Sequence, residues 1–228
     1  MSLTKEQALL EYAKCAHDTP YALRTYLQTY DNTQSKYVPL ELFNDQVTLV
    51  NDYDTCEENI ALKYRQAGVS TVTSAWASKR LVFAKKSKPE KILIIANKLD
   101  TAVEMANKVR AFVEQWPNWL GVGFSPEKNA ARHFKLTNGC EVKAVATSKL
   151  TYQLASALGI EVVDIELVNR IDLTIDGADE VDPSLNGIKG GGAALLYEKI
   201  IACNSAMNIW IVDSSKLVKQ LGKFPLPV

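Results

Sequence analysis

The feature that most constrains the fold is an uninterrupted apolar run at residues 92–96, bounded by Lys91 and Asn97. Strands that are buried on both faces of a parallel sheet have this pattern, because no position along them faces water. A second buried strand is predicted at residues 171–175. After the first run, Asp100 can cap a helix whose apolar residues recur at helical spacing. Buried strands that alternate with helices predict an α/β protein.

The remaining periodicities predict a three-layer, Rossmann-like architecture: a mostly parallel central sheet with helices on both faces, preceded by N-terminal helices. Those N-terminal helices are predicted at residues 4–16, where Thr4 begins a capping box, and at 41–51, with Phe43 facing inward. No regular element is predicted for the polar, tyrosine-rich residues 21–37. The other predicted elements are strands at 59–64, 134–136, 141–145, 162–164 and 209–212 and helices at 71–84, 150–158 and 193–206.

Composition excludes several classes of function. The 228 residues carry 26 basic and 26 acidic side chains, so no net charge favours a nucleic-acid or membrane-surface partner. The two histidines and four widely separated cysteines lack the spacing of a zinc site, and no metal site is predicted. No apolar run approaches the ~18 residues that a membrane helix needs, and the N-terminus lacks the organisation of a signal peptide. A cytoplasmic location is therefore expected.

A first chemical signal lies where the strand at 59–64 turns into the helix at 71–84. Gly68 precedes Ser70 and Thr71, and such a turn can present backbone N–H groups and hydroxyls to a phosphate. Val69 stands where a phosphate-binding lysine is usual, so Lys63 or Arg65 would have to supply the charge. From spacing alone, a plain strand-to-helix turn explains the pattern equally well.

Four segments together resemble the N-terminal part of the ATPase domain of phage terminase large subunits, which are DNA-packaging motors: residues 37–43, 64–71, 92–97 and 136–144. The resemblance covers residues 37–149 and implies ATP and Mg²⁺ as ligands. It places Arg65, Gly68, Ser70 and Thr71 at the phosphates and Gln46 at the adenine. The family's adjacent Asp-Glu pair and its nuclease half have no counterpart, so DNA is not expected as a partner outside a complete motor.

A second chemical signal is a set of acids and a lysine around glycine turns. Asp176 and Asp179 precede Lys189 in a glycine-rich stretch, and Glu198 follows on the next predicted helix. Aldose–ketose isomerisation needs a base that moves a proton between neighbouring carbons and a cation that stabilises the developing oxyanion. Each carboxylate alone would be explained as a solvated or capping acid, but the set fits this reaction.

The region from residue 147 to the end resembles ribose-5-phosphate isomerase type A, through Asp-Gly-Ala-Asp-Glu at 176–180, Lys-Gly-Gly-Gly at 189–192 and further segments up to residue 228. The resemblance implies the base Glu198, the oxyanion-stabilising Lys189, and hydroxyl-proton transfer and ring opening by Asp176 and Asp179. It also implies a sugar site lined by the residues Gly190, Gly191, Asp213 and Lys216. Neither a cofactor nor a metal is implied. The family's N-terminal phosphate loop and its C-terminal continuation have no counterpart.

The simplest account is a composite chain. Residues 1–149 form a truncated terminase-ATPase-like segment and residues 150–228 a truncated isomerase-like segment, in two small sheets or one merged sheet. The expected partner is a small sugar phosphate or ATP, and a homo-oligomer is one open state. Three functions are left open: an isomerase impaired by the missing parts, an ATP-binding segment, and a folded chimera without activity.

Overall fold

The computed structural model describes residues 3–31, 33–63, 67–96, 99–146, 171–191 and 195–224. The helices in these ranges are α1 (Lys5–His17), α2 (Thr19–Tyr26), α3 (Asn44–Thr55), α4 (Val69–Phe83), α5 (Leu99–Val113) and α6 (Leu195–Cys203). The strands are β1 (Gln28–Asp31), β2 (Lys36–Pro39), β3 (Glu58–Lys63), β4 (Lys91–Ala96), β5 (Phe124–Ala130), β6 (His133–Leu136), β7 (Glu141–Ala146), β8 (Leu173–Asp176), β9 (Glu180–Val181), β10 (Gly187–Ile188) and β11 (Asn208–Asp213).

Seven of the described strands form one sheet in the order β3-β11-β8-β4-β7-β6-β5. From β3 to β7 neighbouring strands are parallel, and β6 and β5 extend the sheet by antiparallel pairing. The two buried strands predicted at 91–96 and 171–175 are neighbours in this sheet, with Ile92 opposite Leu173 and Ile94 opposite Ile175. Strands from both resemblance segments are therefore hydrogen-bonded to one another. The predicted mostly parallel α/β fold is confirmed.

Helices cover both faces of the sheet. Ile92 and Ile94 of β4 belong to the main core, which also contains the buried residues of α4 and α5. Leu93 and Ile95, on the opposite face of the same strand, pack with Ile201 of α6. The connections β3–α4–β4 and β8–α6–β11 run in opposite directions along the sheet, so the right-handed crossover rule places their helices on opposite faces.

Helix α4 lies between the sheet and the N-terminal helices, and most of its residues are buried. On its outer side the Lys79 ammonium donates to the Thr19 hydroxyl at 2.6 Å and to the Ala16 carbonyl oxygen at 3.1 Å. The Trp76 indole donates to Asp54 Oδ1 at 2.8 Å. Burial lowers the pKa of Lys79. Because a buried polar group without partners is costly, these bonds fix how α1, α2 and α3 pack on α4.

The structure corrects the sequence analysis in the N-terminal region. Most of α2 lies within residues 21–37. The antiparallel β1–β2 hairpin also begins within this range. The start of α2 is fixed by the Asp18 carboxylate, which accepts the Tyr21 N–H at 2.8 Å. Helix α3 begins at Asn44, and Phe43 is 72% exposed rather than inward-facing, because it precedes the first turn. Strand β5 was also not predicted.

Other predicted elements have mixed outcomes. The strand at 91–96 and the hairpin around residues 138–139 are confirmed by β4, β6 and β7. The predicted helix at 150–158 and strand at 162–164 lie outside the described residues. Among the helices in the described ranges, none combines the length and apolarity required to cross a membrane.

Candidate active site

The candidate site forms where the carboxyl ends of the parallel strands meet. β4 is followed by α5 on one face of the sheet, and the neighbouring β8 is followed by α6 on the other face. Neighbouring strands whose connections leave to opposite faces open a crevice between their carboxyl ends, and α/β proteins bind ligands there. Asp176 is the last residue of β8 and therefore lies at this crevice.

Three charged side chains from separate elements meet at the end of β8. Lys189 Nζ lies 2.8 Å from Asp176 Oδ2 and 3.4 Å from Glu198 Oε2. The Lys189 ammonium also donates to the carbonyl oxygen of Gly177. Asp176 and Glu198 are each 8% exposed and Lys189 is 9% exposed. The structure thus brings together three of the four residues that the isomerase resemblance implies as catalytic.

The pKa of Asp176 is shifted towards neutrality. Burial raises it from the ordinary value of 3.8 to about 6, and the Glu198 carboxylate acts in the same direction. The Lys189 ammonium opposes this rise, as does the Gly177 N–H, which donates to Asp176 Oδ1 at 2.7 Å. A carboxyl group that titrates near neutral pH can both accept and release a proton during a reaction.

A short hairpin carries Lys189 towards Asp176. Its strands β9 and β10 pair antiparallel, and Gly187 on β10 leaves room for the indole of Trp210 on β11. A Cβ atom at Gly187 would lie 2.5 Å from Cζ3 of that ring. Lys189 Nζ lies 5.5 Å from the centre of the Trp210 ring, within cation–π range. Trp210 contributes to the site although the sequence analysis did not identify it, since its contact crosses between elements.

The fourth implied acid, Asp179, is held by the glycine turn. Its Oδ2 accepts the N–H of Gly191 at 2.7 Å. The turn also requires glycine at position 190, where φ is +95° and a Cβ would lie 2.4 Å from the Cβ of Leu195. The backbone after Lys189 therefore passes directly against the start of α6, the helix that carries Glu198.

Asp213 and Lys216 follow the neighbouring strand β11. Asp213 is its last residue, and its carboxylate accepts the N–H and the hydroxyl of Ser215 at the start of a 3-10 helix that contains Lys216. The Ser215 hydroxyl bond is the largest cause that lowers the pKa of Asp213. Both residues lie one strand away from Asp176 at the same edge of the sheet. The Asp213 carboxylate is bonded to Ser215 rather than to a residue of the β8 site.

The proposed nucleotide turn lies at this edge too, at the end of β3. Gly68, the residue just before α4, has φ of +71°. Lys63 Nζ lies 3.4 Å from the Ser70 hydroxyl in the first turn of the helix. Both amide atoms of Gln46, the residue expected at the adenine, already have partners in the chain. Its Nε2 donates to the Ala67 carbonyl oxygen at 2.9 Å, and its Oε1 accepts the Phe43 N–H at 3.1 Å. Thr71 lies in the first turn of α4, next to Ser70. Arg65 lies outside the described residues.

No metal site accompanies these residues. Across the ranges that the structure describes, no three histidine, cysteine, aspartate or glutamate side chains are grouped so that they could hold an ion.

The sequence comparisons match the C-terminal part of the chain. Residues 143–228 match the family model of ribose 5-phosphate isomerase A (phosphoriboisomerase A). Ribose-5-phosphate isomerase A of Bifidobacterium longum subsp. infantis is 55% identical over 113 residues, which cover 48% of this chain and 48% of that protein. The protein of the same name from Bifidobacterium adolescentis is 60% identical over 90 residues, 40% of this chain and 39% of that protein. The chain spans about half the length of the curated relatives it matches.

The comparison with solved structures also shows a similarity in fold. The crystal structure of the HK97 bacteriophage large terminase superposes on 87% of this chain and 37% of its own, with a TM-score of 0.55 and 13% sequence identity. At this identity the likeness concerns the fold alone. The chain is thus similar in sequence to ribose 5-phosphate isomerase A over its C-terminal part and similar in fold to a phage large terminase, as the composite account predicts.

Proposed function

We propose that the chain catalyses aldose–ketose isomerisation of a pentose phosphate, between ribose 5-phosphate and ribulose 5-phosphate. The observation that carries this proposal is the buried contact of Lys189 with both Asp176 and Glu198 at the sheet crevice. The sequence similarity of residues 143–228 to ribose 5-phosphate isomerase A supports the same reaction and substrate.

In the proposed reaction Glu198 removes the proton from the carbon beside the substrate carbonyl and returns it to the neighbouring carbon. Lys189 stabilises the negative charge that develops on the substrate oxygen, because a fixed cation in a water-poor site interacts strongly with that charge. Asp176 and Asp179 exchange protons with the sugar hydroxyls and assist ring opening, and a pKa of about 6 suits Asp176 to this role. These steps need no cofactor.

We expect the activity to be weak. Binding energy at a remote phosphate orients the reacting carbons of a sugar phosphate, so the lack of the family's phosphate loop lowers the rate of the chemical step as well as the affinity. The residues that remain for the phosphate at this edge of the sheet include Lys63 and Ser70, which are in contact with each other.

The test is a coupled assay for ribulose 5-phosphate with the wild type, Glu198→Gln and the matched control Glu104→Gln. The control is an exposed glutamate of α5, far in sequence from the site. We expect turnover in the wild type and the control and a loss of at least ~100-fold in Glu198→Gln, since general-base catalysis contributes on the order of 10²–10⁴. Equal rates in all three proteins would rule out Glu198 as the base.

A second candidate function is nucleotide binding at the β3–α4 turn, and the contact of Lys63 with Ser70 at the start of α4 favours it. Titration with a fluorescent ATP analogue tests this function. We expect saturable binding that weakens in Ser70→Ala and Arg65→Ala. Binding that is the same in the wild type and both variants would exclude the turn as the phosphate site.

The third account is a folded chimera without activity. The pairing of β4 with β8 and of β3 with β11 supports a chain that folds as one unit. Cooperative thermal unfolding together with no signal in both assays would favour this account over the other two.

A further inference from the structure

A buried carboxylate next to the candidate site has a role that the isomerase chemistry does not use. Glu180 follows Asp179 directly and is 3% exposed. Its Oε2 accepts the N–H of Gly222 at 2.7 Å, and its Oε1 accepts the N–H of Phe224. One carboxylate therefore holds two backbone groups that lie more than forty residues away in the sequence.

The segment that Glu180 holds is residues 217–224, which we call the strap. It begins after the 3-10 helix that contains Lys216, and it runs beside β9, where the Val218 N–H donates to the Val181 carbonyl oxygen at 2.9 Å. Gly222 has φ of +111°, a backbone conformation that glycine adopts without strain. Five of the eight strap residues are exposed, and both backbone groups that Glu180 holds lie among the last three residues of the strap.

The far end of the strap touches the glycine turn of the site. A Cβ atom at Gly191 would lie 2.6 Å from Cζ of the Phe224 ring and 2.9 Å from Asp179 Oδ1. Gly191 is exposed to solvent, but it is flanked by the Phe224 ring and by the carboxylate that accepts its N–H. Glu180 therefore holds the backbone of Phe224, and the ring of Phe224 lies against Gly191 in the turn after Lys189.

We propose that Glu180 is a positioning residue: it fixes the strap so that Phe224 holds the turn at Gly191 in the geometry that keeps Asp179 and Lys189 in place. A glycine turn loses more conformational freedom on ordering than other backbone, so an external contact is an effective way to order it. The kinetic consequence of this role rests on the proposed isomerase function, whereas the positioning itself does not.

The test compares Glu180→Gln with Asp182→Asn by NMR-detected amide hydrogen exchange. Asp182 is the matched control, since its carboxylate also accepts backbone N–H groups of the same hairpin but does not contact the strap. In Glu180→Gln an NH₂ group replaces one of the two acceptors. We expect exchange to become about tenfold faster or more at Gly222, Phe224 and Gly191, the effect of losing a charged hydrogen bond. In Asp182→Asn we expect unchanged exchange at these three groups.

A second pair of variants separates positioning from folding. Phe224→Ala removes the ring from Gly191 while leaving the Glu180 bonds intact, and Phe224→Tyr keeps the ring. We expect Phe224→Ala to speed exchange at Gly191 and Phe224→Tyr to restore the wild-type rate. This pair decides the proposal if Glu180→Gln does not fold.

Kinetics provide a readout that a merely structural role would not move. With a wild type that turns over, we expect Glu180→Gln and Phe224→Ala to lower kcat about tenfold to a hundredfold with a smaller change in KM, because small misplacements of catalytic groups have effects of this size. If the wild type shows no turnover but exchange at Gly191 responds as expected, the isomerase function fails and the positioning role stands. Faster exchange at Gly222 and Phe224 with an unchanged rate at Gly191 would overturn the proposal.

Discussion

The two candidate sites lie at the same edge of one sheet, but their polar side chains differ in burial and in bonding partners. At the β3–α4 turn, the side-chain amide of Gln46 is bonded to the backbone of its own chain, and Lys63 contacts the Ser70 hydroxyl and lies within electrostatic range of Asp213. At the end of β8, two carboxylates and the Lys189 ammonium are buried together. The first arrangement is one that ordinary folding produces.

The second arrangement is one that folding alone does not favour. Removing charges from water costs several kcal/mol per ion, and a buried ion pair seldom recovers that cost in full. A buried group whose pKa is shifted by burial and by specific neighbouring charges, at the crevice of an α/β sheet, is instead a mark of a functional site. The comparison therefore favours the β8 site over the β3 turn as the place where chemistry occurs.

Replacing the lysine of the β8 site should have the largest effect. In Lys189→Met, Asp176 and Glu198 remain buried without the cation between them, so we expect a loss of about 3–5 kcal/mol in the free energy of unfolding at pH 7. Urea denaturation measures this loss. Part of it should be recovered at pH 5, where protonation relieves the repulsion between the carboxylates.

The matched change in the other region is Lys63→Met. Lys63 is only partly buried, and its ammonium contacts the Ser70 hydroxyl at 3.4 Å and lies within electrostatic range of Asp213. We expect a change below about 1 kcal/mol, as for partly exposed polar contacts in general. Equal losses in Lys189→Met and Lys63→Met would remove the contrast on which the assignment of the site is based.

The pH dependence of stability should report Asp176. Its pKa is about 6 in the folded chain and has the ordinary value of 3.8 in the unfolded chain, so between these values the folded state holds a proton that the unfolded state has released. Stability from this group is therefore full below pH 4 and is lost as the pH rises towards 6. The full loss should be about 3 kcal/mol, since each pKa unit corresponds to about 1.4 kcal/mol.

Asp176→Asn lacks this titration. We expect the free energy of unfolding of the variant to fall less than that of the wild type between pH 4 and pH 6, measured by urea denaturation at several pH values. Asp213→Asn serves as the control, because the pKa of Asp213 is lowered and its contribution has the opposite sign. Parallel pH profiles for the wild type and Asp176→Asn would show that Asp176 titrates normally.

Adding a methyl group to the glycine turn of the β8 site should have a medium effect. Gly190→Ala places a Cβ 2.4 Å from Leu195 at a φ of +95°, whereas Gly121→Ala has φ of +68° and open space around the new atom. We expect about 1 kcal/mol of backbone strain in both variants and a further loss of about 1–3 kcal/mol only in Gly190→Ala. Thermal unfolding distinguishes them, and similar losses in both would show that the turn is loosely packed.

Local patterns in the sequence predicted the sheet better than they predicted the contacts between its parts. The strand at 91–96 is found at the predicted residues because its apolar run has only one environment that suits it, the interior of a parallel sheet. The helix α2 was missed because its eight residues are too few for a repeating pattern to stand out, and because its start depends on the Asp18 cap. The insertion of β8 between β11 and β4 depends on pairing between distant segments, which no local pattern encodes.

The candidate site shows the same division. Asp176, Lys189 and Glu198 were identified because their residue types and glycine turns match a known chemistry, and the structure brings them together. Trp210 and Glu180 were not identified, because their roles arise from packing: one ring beside Gly187 and one buried carboxylate that holds a distant backbone.

A smaller effect than that of Gly190→Ala is expected at Gln46, which the terminase resemblance places at adenine. Its amide joins the start of α3 to the turn before Gly68, through bonds to the Phe43 N–H and the Ala67 carbonyl oxygen. We therefore expect Gln46→Ala to lower the free energy of unfolding by about 1–2 kcal/mol, the loss of two hydrogen bonds in a largely buried place. Thr48→Ala, an exposed change on the same helix, should cost less than about 0.5 kcal/mol.

Nucleotide titration of the same variants decides which role Gln46 has. If Gln46 only joins α3 to the turn, it affects ATP binding only indirectly. The affinity of Gln46→Ala for the fluorescent ATP analogue should then change no more than about threefold under conditions where the variant is folded. Loss of more than about tenfold in affinity without a loss of stability would instead assign Gln46 to the nucleotide. Because both amide atoms already have partners within the chain, we expect the first outcome.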